Sequence, residues 1–251
     1  MPDSAAVRDY YRTILPFYDA ELADRGDGAF WTRAASEAAG CRVLEIGAGT
    51  GRATEFLARG AREVVAFDVD LDLLAVARGR LAPCGNVRLL AADARRFRLD
   101  ARFDLVAAVD DPFVHLTRGR ERSRALAQAA AHLRPGGRFL LDAAWFSPAD
   151  RRRAATPEGL VKQRDHGGLV VRERWRCARG SRLCRARFDY CQDGRQVAAA
   201  SFPARLWSVA ELYGRCRAAG LEPVALWGDY DRRPWRRSTS PRLIAEARRV
   251  G

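Results

Sequence analysis

The stretch LEIGAGTGR places glycines at 47, 49 and 51 directly after an apolar run, where missing side chains let a backbone approach a ligand closely. Glu45 precedes the glycines, and Asp68, Asp93 and Asp110 each close a later apolar run. Carboxylates at successive ends of this kind suit a ligand that offers an ammonium, a ribose diol and an adenine amine. They suit a pyrophosphate poorly, and the dinucleotide fingerprint G-x-G-x-x-G fails because Arg52 stands where its third glycine belongs. Asp110-Asp111-Pro112-Phe113 then leads to His115. An imidazole, with an unperturbed pKa of about 6.5, can take a proton from an ammonium or hydroxyl near neutral pH. Asp111 could hold that ring or a substrate cation, so His115 and Asp111 are the candidate catalytic residues. The plainer reading of His115 is a cap for the helix that follows.

The elements that must position these residues are legible as an alternation. CRVLEIG, EVVAFD, NVRLLAAD, FDLVAAVD and GGRFLLDAAWF read as buried strands, and LDLLAVARGRLA and RALAQAAAHL between them read as amphipathic helices. This is the βαβ rhythm of a parallel sheet covered on both faces. In such open sheets ligands bind at the carboxyl ends of the strands, where Glu45, Asp68, Asp93 and Asp110 fall. After Asp150 the rhythm changes. The segment GLVVRERWRCARGSRLCRARFDYCQDGRQVAAASF alternates with period two, with turns at Gly180-Ser181 and Asp193-Gly194, and predicts a three-stranded antiparallel insertion. Ser208 and Glu211 then form a capping-box start for a helix over 209–219, which Gly220 ends before two last strands at LEPVALWGDY and PRLIAEARR. The expected organisation is an N-terminal lid segment and cofactor-binding core over 1–150, an antiparallel insertion over 151–206, and a helix with the last two strands over 207–251.

With these motifs in hand the chain resembles the class I S-adenosylmethionine-dependent methyltransferases, through PFYD at 16–19, VLEIGAGTGR, VVAFDVD, LLAADARRF, FDLVAAVDDPFVHL, HLRPGGRFLLD and GDYD with SPRLIAEARR. The resemblance implies a Rossmann-like α/β fold with a seven-stranded sheet and S-adenosylmethionine as cofactor. Gly47, Gly49 and Gly51 would pass under its methionine part, Glu45 would orient its amino group, Asp68 would hold the ribose, and Asp93 with Ala94 would meet the adenine. Asp110 is counted with this set, and Tyr11 and Tyr18 would cover the donor from the N-terminal segment. Phe113 and Trp145 are the expected acceptor-side rings, although ordinary core packing explains either equally well. Two acceptor classes compete. Residues 110–113 partly match the Asn/Asp/Ser-Pro-Pro-aromatic clamp of base-modifying methylases, but Asp111 replaces the first proline and would repel phosphates. Small-molecule N- and O-methyltransferases keep a histidine near the acceptor, where His115-Leu116 stands, and this is the preferred reading. A cofactor-binding subunit without transfer activity is a third.

The totals agree with an α/β protein. A chain of 251 residues, 48% hydrophobic, can bury one large core. It contains no apolar run of membrane-spanning length and no apolar leader near the start, so a cytoplasmic protein without a membrane partner is expected. The formal charge is +13, yet residues 1–150 hold 21 Arg and 21 Asp+Glu, so all of the excess lies in residues 151–251. Lys162 is the only lysine, which fits a compositional bias as well as an anionic partner. Six cysteines without a C-x-x-C pair read as thiols, with Cys41, Cys84 and Cys216 filling the core and no usual metal spacing among Cys177, Cys184 and Cys191. Centring the first hairpin of the insertion on Gly180-Ser181 sets Arg174 opposite Arg187 and Arg176 opposite Arg185, on the face away from Trp175, Ala186 and Phe188. Such like-charge pairs are destabilising and leave a nucleic acid, an acidic partner, a homodimer contact or plain solvation as readings of that face.

Overall fold

The computed structural model describes residues 2–23, 25–37 and 40–251. Its main sheet contains β1 (Arg42–Ile46), β2 (Glu63–Asp68), β3 (Val87–Ala91), β4 (Phe103–Ala108), β5 (Leu133–Ala143), β10 (Leu221–Trp227) and β11 (Leu243–Arg249), in the order β10-β11-β5-β4-β1-β2-β3. Strands β1 to β5 run parallel, and β11 inserts antiparallel between β5 and β10. Because successive side chains of a buried strand point to opposite faces, Leu44 and Ile46 join Val106 and Phe139 in one core layer, and Val43 joins Leu105 and Leu140 in the other. The first layer is covered by α5 (Gly119–Ala131) and α7 (Val209–Ala218) through Ala125, Leu126 and Leu212; the second by α2 (Gly28–Ser36) and α3 (Arg52–Gly60) through Trp31 and Leu57. Local chemistry sets the helix starts. Asp70 caps α4 (Leu71–Leu81) by accepting from the amides of Asp72 and Leu73, an arrangement worth about 1 kcal/mol. Ser208 caps α7 through the amide of Glu211, and Gly220 follows the helix with φ of 77°.

Residues 151–206 form four antiparallel strands, where three are expected from the sequence. β6 (Leu160–Asp165), β7 (Leu169–Cys177), β8 (Leu183–Gln192) and β9 (Arg195–Arg205) pair in chain order. β6 is an edge strand with only Leu160 buried, so it carries no period-two pattern to read. A short helix, α6 (Pro148–Ala154), precedes it. The predicted register holds: Trp175 faces Ala186, Arg174 faces Arg187 and Arg176 faces Arg185. That register also sets Cys177 opposite Cys184, and the two are joined as a disulfide. The expectation of six thiols is thereby corrected: directly opposed cross-strand residues come close enough to bridge. Cys41 and Cys216 are buried, whereas Cys84 is only half-buried. The apolar face of this second sheet packs on α1 (Pro2–Leu22), with Tyr10 and Ile14 against Trp175, Phe188, Tyr190 and Phe202. Among the described residues no helix is long and apolar enough to cross a membrane.

Candidate active site

Strands β1 and β4 are neighbours although β2 and β3 intervene in the chain, and the loops leaving such a switch point diverge to open a crevice. A cavity of about 750 Å³ occupies it. The amides of Gly47 and Ala48 both donate to the carbonyl of Phe67, and that of Gly49 donates to Oδ2 of Asp68 at 2.9 Å. Asp68 Oδ1 accepts from the amide of Asp70. Each carboxylate oxygen keeps a further lone pair, and burial raises the carboxyl above its ordinary pKa. A Cβ on Gly47, whose φ is 80°, would lie 2.6 Å from Cβ of Pro112; one on Gly49 would lie 3.2 Å from the hydroxyl of Tyr18. The glycine loop is thus held between the loop after β4 and α1. Gly51 does otherwise: it precedes α3, and a Cβ there would strike Leu81 and Ala77 of α4. It serves helix packing and is not part of the cavity wall.

Two of the strand-tip carboxylates are also diverted. Glu45 is fully buried, accepts through Oε2 from the hydroxyl of Thr54 in α3, and leaves Oε1 without a partner. It does not line the cavity, because alternation along β1 turns it toward α3 while Ile46 reaches the wall. Burial pushes its carboxyl up to about 8. Asp93 lines the cavity with Ala94, but its carboxylate is forked on the guanidinium of Arg95, at 2.7 Å for the closest contact. Against the burial that would raise it, these bonds hold Asp93 below the usual carboxylate range.

Asp110 and Asp111 both adopt positive φ, 57° and 49°, at the end of the β4 loop. Asp110 lines the cavity and pairs with Nη1 of Arg25 at 2.7 Å. The same guanidinium reaches Asp142 Oδ2 at 3.2 Å, and the hydroxyl of Tyr230 donates to that oxygen at 2.6 Å. Asp142 stands near the end of β5 as the other acids stand at theirs, so the strand-tip rule that finds Asp68 also finds it. Nothing in the sequence marks Arg25. Asp111 does not hold His115. Its carboxylate accepts from the amide of Ala144 at 3.0 Å and the indole N–H of Trp207 at 3.3 Å, and burial pushes it up to about 7.

The roof of the cavity comes from α1 and the second sheet. Nε2 of His115 meets the hydroxyl of Tyr11 at 2.7 Å, Nδ1 is buried without a partner, and the ring packs edge-on against Phe202 at 4.7 Å. Burial pulls the imidazole down to about 4. Tyr18, Trp145, Trp175 and Phe188 complete the aromatic lining, and two carboxylates lie among them. Glu21 accepts from Tyr190 at 2.7 Å and is pushed up by burial to about 7; Glu173 accepts from the indole of Trp175 at 3.1 Å. Neither glutamate stands out in the sequence, since each sits in an ordinary amphipathic element. Phe113 is not a pocket ring. The one-turn helix Pro112–His115 directs it into the core, fully buried and parallel to Phe139, while Pro112, Val114 and His115 line the cavity.

A methyltransferase-domain family matches residues 43–137. The chain is also 30% identical over 163 residues to the magnesium-protoporphyrin O-methyltransferase of Rhodobacter capsulatus, an alignment covering 59% of this chain and 71% of that enzyme. The chain belongs to the class I S-adenosylmethionine-dependent methyltransferases. This methyltransferase is similar as well to the dTDP-3-amino-3,6-dideoxy-alpha-D-glucopyranose N,N-dimethyltransferase of Streptomyces fradiae, 30% identical over 147 residues, spanning 55% of this chain and about half (56%) of that enzyme's length. Its fold matches S-adenosylmethionine-bound CalS10, an amino pentose methyltransferase from Micromonospora echinaspora, with a TM-score of 0.71, 26% identity, and coverage of 93% and 96% of the two chains. The cofactor of the family is S-adenosylmethionine, and the donor set here fits it: acceptor carboxylates at Asp68 and Asp110, a glycine cradle that a Cβ would fill, and a volume within the roughly 300–1,000 Å³ usual for such ligands.

Proposed function

We propose that this methyltransferase moves a methyl group from S-adenosylmethionine to nitrogen or oxygen of a small-molecule acceptor. The observation that carries the reading is the roof: α1, the turn after β4 and the second sheet set Tyr11, His115, Trp175 and Phe202 over the same cavity that Asp68 and Gly49 line from below. When bound, the sulfonium cofactor supplies an already electrophilic methyl group, so what the chain must do is align the acceptor and exclude water. Asp68 holds the ribose hydroxyls, Ala94 and Asp93 border the adenine, and the loop of Gly47 and Gly49 runs under the methionine portion. Tyr18 keeps that loop against α1. Glu173 and Glu21, the latter held near 7 by burial, put carboxyl oxygens on the acceptor side that can accept from an amine.

The protonation of His115 decides its part. With the imidazole near 4, taking a proton from an ammonium of ordinary pKa about 8 would be uphill by roughly 5 kcal/mol. His115 therefore acts as a neutral hydrogen-bonding group, oriented by Tyr11, that positions an acceptor already free of its proton. The reaction belongs in the cytoplasm in this reading, where the donor is made. A nucleic-acid acceptor is less well supported, because Arg174, Arg176, Arg185 and Arg187 lie on the sheet face opposite Trp175 and Phe188, which line the cavity.

Thermal unfolding with S-adenosylmethionine or S-adenosylhomocysteine tests the donor side, since a ligand of the native state raises stability by RT ln(1 + [L]/Kd). Both should raise Tm, and Asp68→Ala should lose most of the rise. Stabilisation by NADH alone would overturn the assignment. Transfer of radiolabel from the donor should mark small metabolites of an extract, and exclusive labelling of RNA would overturn the acceptor class.

A further inference from the structure

The inner face of the second sheet carries charge as well as rings into the active-site cavity. Lys162 of β6 and Glu173 of β7 are directly opposed in the ladder, and both line the cavity. Side chains so placed have Cβ atoms about 5 Å apart, and opposite charges there attract one another. These two nevertheless turn to other groups. The ammonium of Lys162, the only lysine of the chain, sits over the ring of Phe146 at 4.8 Å, a contact that holds a cation by the ring's negative face. Phe146 is fixed in turn against Trp175, edge-on at 5.1 Å. Glu173 accepts through Oε2 from the indole N–H of Trp175, and the cation it meets, at 4.0 Å, is Arg164, whose side chain is mostly in solvent. Among the described residues Lys162 has no hydrogen bond and no carboxylate partner. Arg122, which also lacks a carboxylate bond, is instead satisfied by the carbonyls of Leu116, Phe113 and Arg205.

A second carboxyl stands beside this pair. Glu21 of α1 lines the same cavity; burial raises it, and the charge of Glu173 raises it further, so the two glutamates share one region of the wall. That wall is divided in sign: hydrogen-bond acceptors on one part, a single ammonium on the next, and Trp175, Phe188 and Phe202 around them. A ligand that matches it carries donors and one negative charge within a few bonds of each other. A phosphate, with nearly two negative charges, would meet Glu173 as well as Lys162. A carboxylate has one charge and can lie against the ammonium while a neighbouring amine lies against the glutamates.

We propose that the methyl acceptor is an amino acid with an apolar side chain, its carboxylate on Lys162, its amine donating to Glu173 and Glu21, and its side chain among Trp175, Phe188 and Phe202. The inference rests on the small-molecule reading of the cavity and narrows it to nitrogen. The acceptor's ammonium first gives one proton to solvent. Its free lone pair then forms the N–C bond as the S–C bond of the donor breaks, with that electron pair staying on sulfur, and the product leaves as the N-methylamino acid. Lys162 takes no part in these steps. It sets which amines are held, because an amine without a carboxylate leaves the ammonium over Phe146 unanswered.

Transfer of label from radiolabelled S-adenosylmethionine to a mixture of the apolar amino acids, and to the same mixture as carboxamides, isolates the carboxylate. With KM expressed as free amine, the acids should have values about tenfold or more below those of the amides, the loss expected for one charged contact. Lys162→Met should erase the difference by raising KM for the acids with little change in kcat, and Lys162→Arg should keep most of it. In both variants the Tm rise with S-adenosylhomocysteine should stay as in the wild type, because other groups hold the donor. Equal KM for acids and amides, or an unchanged KM in Lys162→Met beside a lowered Tm, would overturn the proposal and leave Lys162 a structural group of an edge strand. Label that enters other small metabolites of an extract but none of these amino acids would reject the amino-acid acceptor and keep the methyl-transfer reading. Label in no small molecule would reject the reading of the cavity on which the inference rests.

Discussion

Tyr11 and His115 lie 104 positions apart in the chain and meet through a hydrogen bond of 2.7 Å between the tyrosine hydroxyl and Nε2. The contact ties α1 to the loop after β4, and both side chains are half-buried. Because the imidazole titrates near 4, it stays neutral where the enzyme works. With an amine acceptor, kcat/KM should therefore rise with pH along the acceptor's own titration and shift when an amine of different pKa is used. His115→Ala should lower turnover by about tenfold, the modest end of what a lost polar contact costs, and leave the limb in place. A limb that stays fixed across acceptors and vanishes in the variant would make His115 a general base.

The same burial has a consequence for stability. His115 titrates near 4 when folded and near 6.5 when unfolded, so between those values the unfolded chain takes up the proton and the native state does not. Its contribution is complete above about 6.5 and is lost as pH falls toward 4. Glu45, pushed up to about 8, and Glu21, pushed up to about 7, act with the opposite sign, favouring the native state as pH falls through those values. Total stability mixes these effects, but a difference between two proteins isolates one. The Tm gap between wild type and His115→Gln should close as pH is lowered from 7 to 4.5, and a constant gap would contradict the depressed imidazole.

Asp111 is a structural pin. It receives the amide of Ala144 from the end of β5 and the indole of Trp207 from the segment before α7, at a φ of 49°. Asp111→Ala would strand two buried donors in a backbone conformation that alanine resists, a loss of about 2–4 kcal/mol. Asp111→Asn keeps an acceptor and tolerates the left-handed conformation, so it should lose about half as much. Denaturant unfolding checks the order. A large fall in turnover for Asp111→Asn with an unchanged midpoint would return this residue to the reaction.

Gly47 and Gly51 look equivalent in GAGTG, and the structure separates them. A Cβ at 47 would press on Pro112 beside the cavity, whereas one at 51 would press on Leu81 and Ala77 between helices. Gly47→Ala should abolish most of the cofactor-induced rise in Tm and, with a φ of 80° and its new Cβ 2.6 Å from that of Pro112, should lower the ligand-free Tm as well. Gly51→Ala should lower Tm by itself, since overpacking and positive φ each cost about 1–3 kcal/mol, yet keep the ligand-induced rise. Equal loss of that rise in both variants would place both glycines against the donor.

The residues explain which parts of this site sequence reveals. Asp68 and Gly49 are legible because a period-two or fully apolar strand ends visibly and the ligand rule then applies. Glu45 belongs to the same pattern, but which face it takes depends on the register of β1 against α3, and that face is turned from the cavity. Phe113 is misplaced for a similar reason: a single turn of tight helix rotates one ring inward and its neighbours outward. Contacts such as Arg25 with Asp110 and Tyr190 with Glu21 join elements far apart in the chain, so no local spacing announces them. The strand β6 lacks any second buried residue and escapes a reading built on alternation.

The arginine pairs of the second sheet are legible in full, down to the register, and their energetics can be measured directly. Arg176 faces Arg185 in the β7–β8 ladder, and both are exposed. Like charges in that position repel by a few tenths of a kcal/mol to about 1 kcal/mol, less at high salt because an exposed pair is screened. Arg176→Glu turns the pair attractive, so it should raise Tm at low salt, and the gain should fade as salt is added. If this face instead gains its stability from an anionic partner, the purified protein would show the same Tm change, but the variant would also lose salt-sensitive RNA binding present in the wild type. Weak RNA binding in both proteins, together with unchanged methylation of a small acceptor, is the expected result, because the cavity opens on the other face of the sheet. A Tm that falls in Arg176→Glu at low salt would show that the arginines are stabilised by something other than their distance from one another.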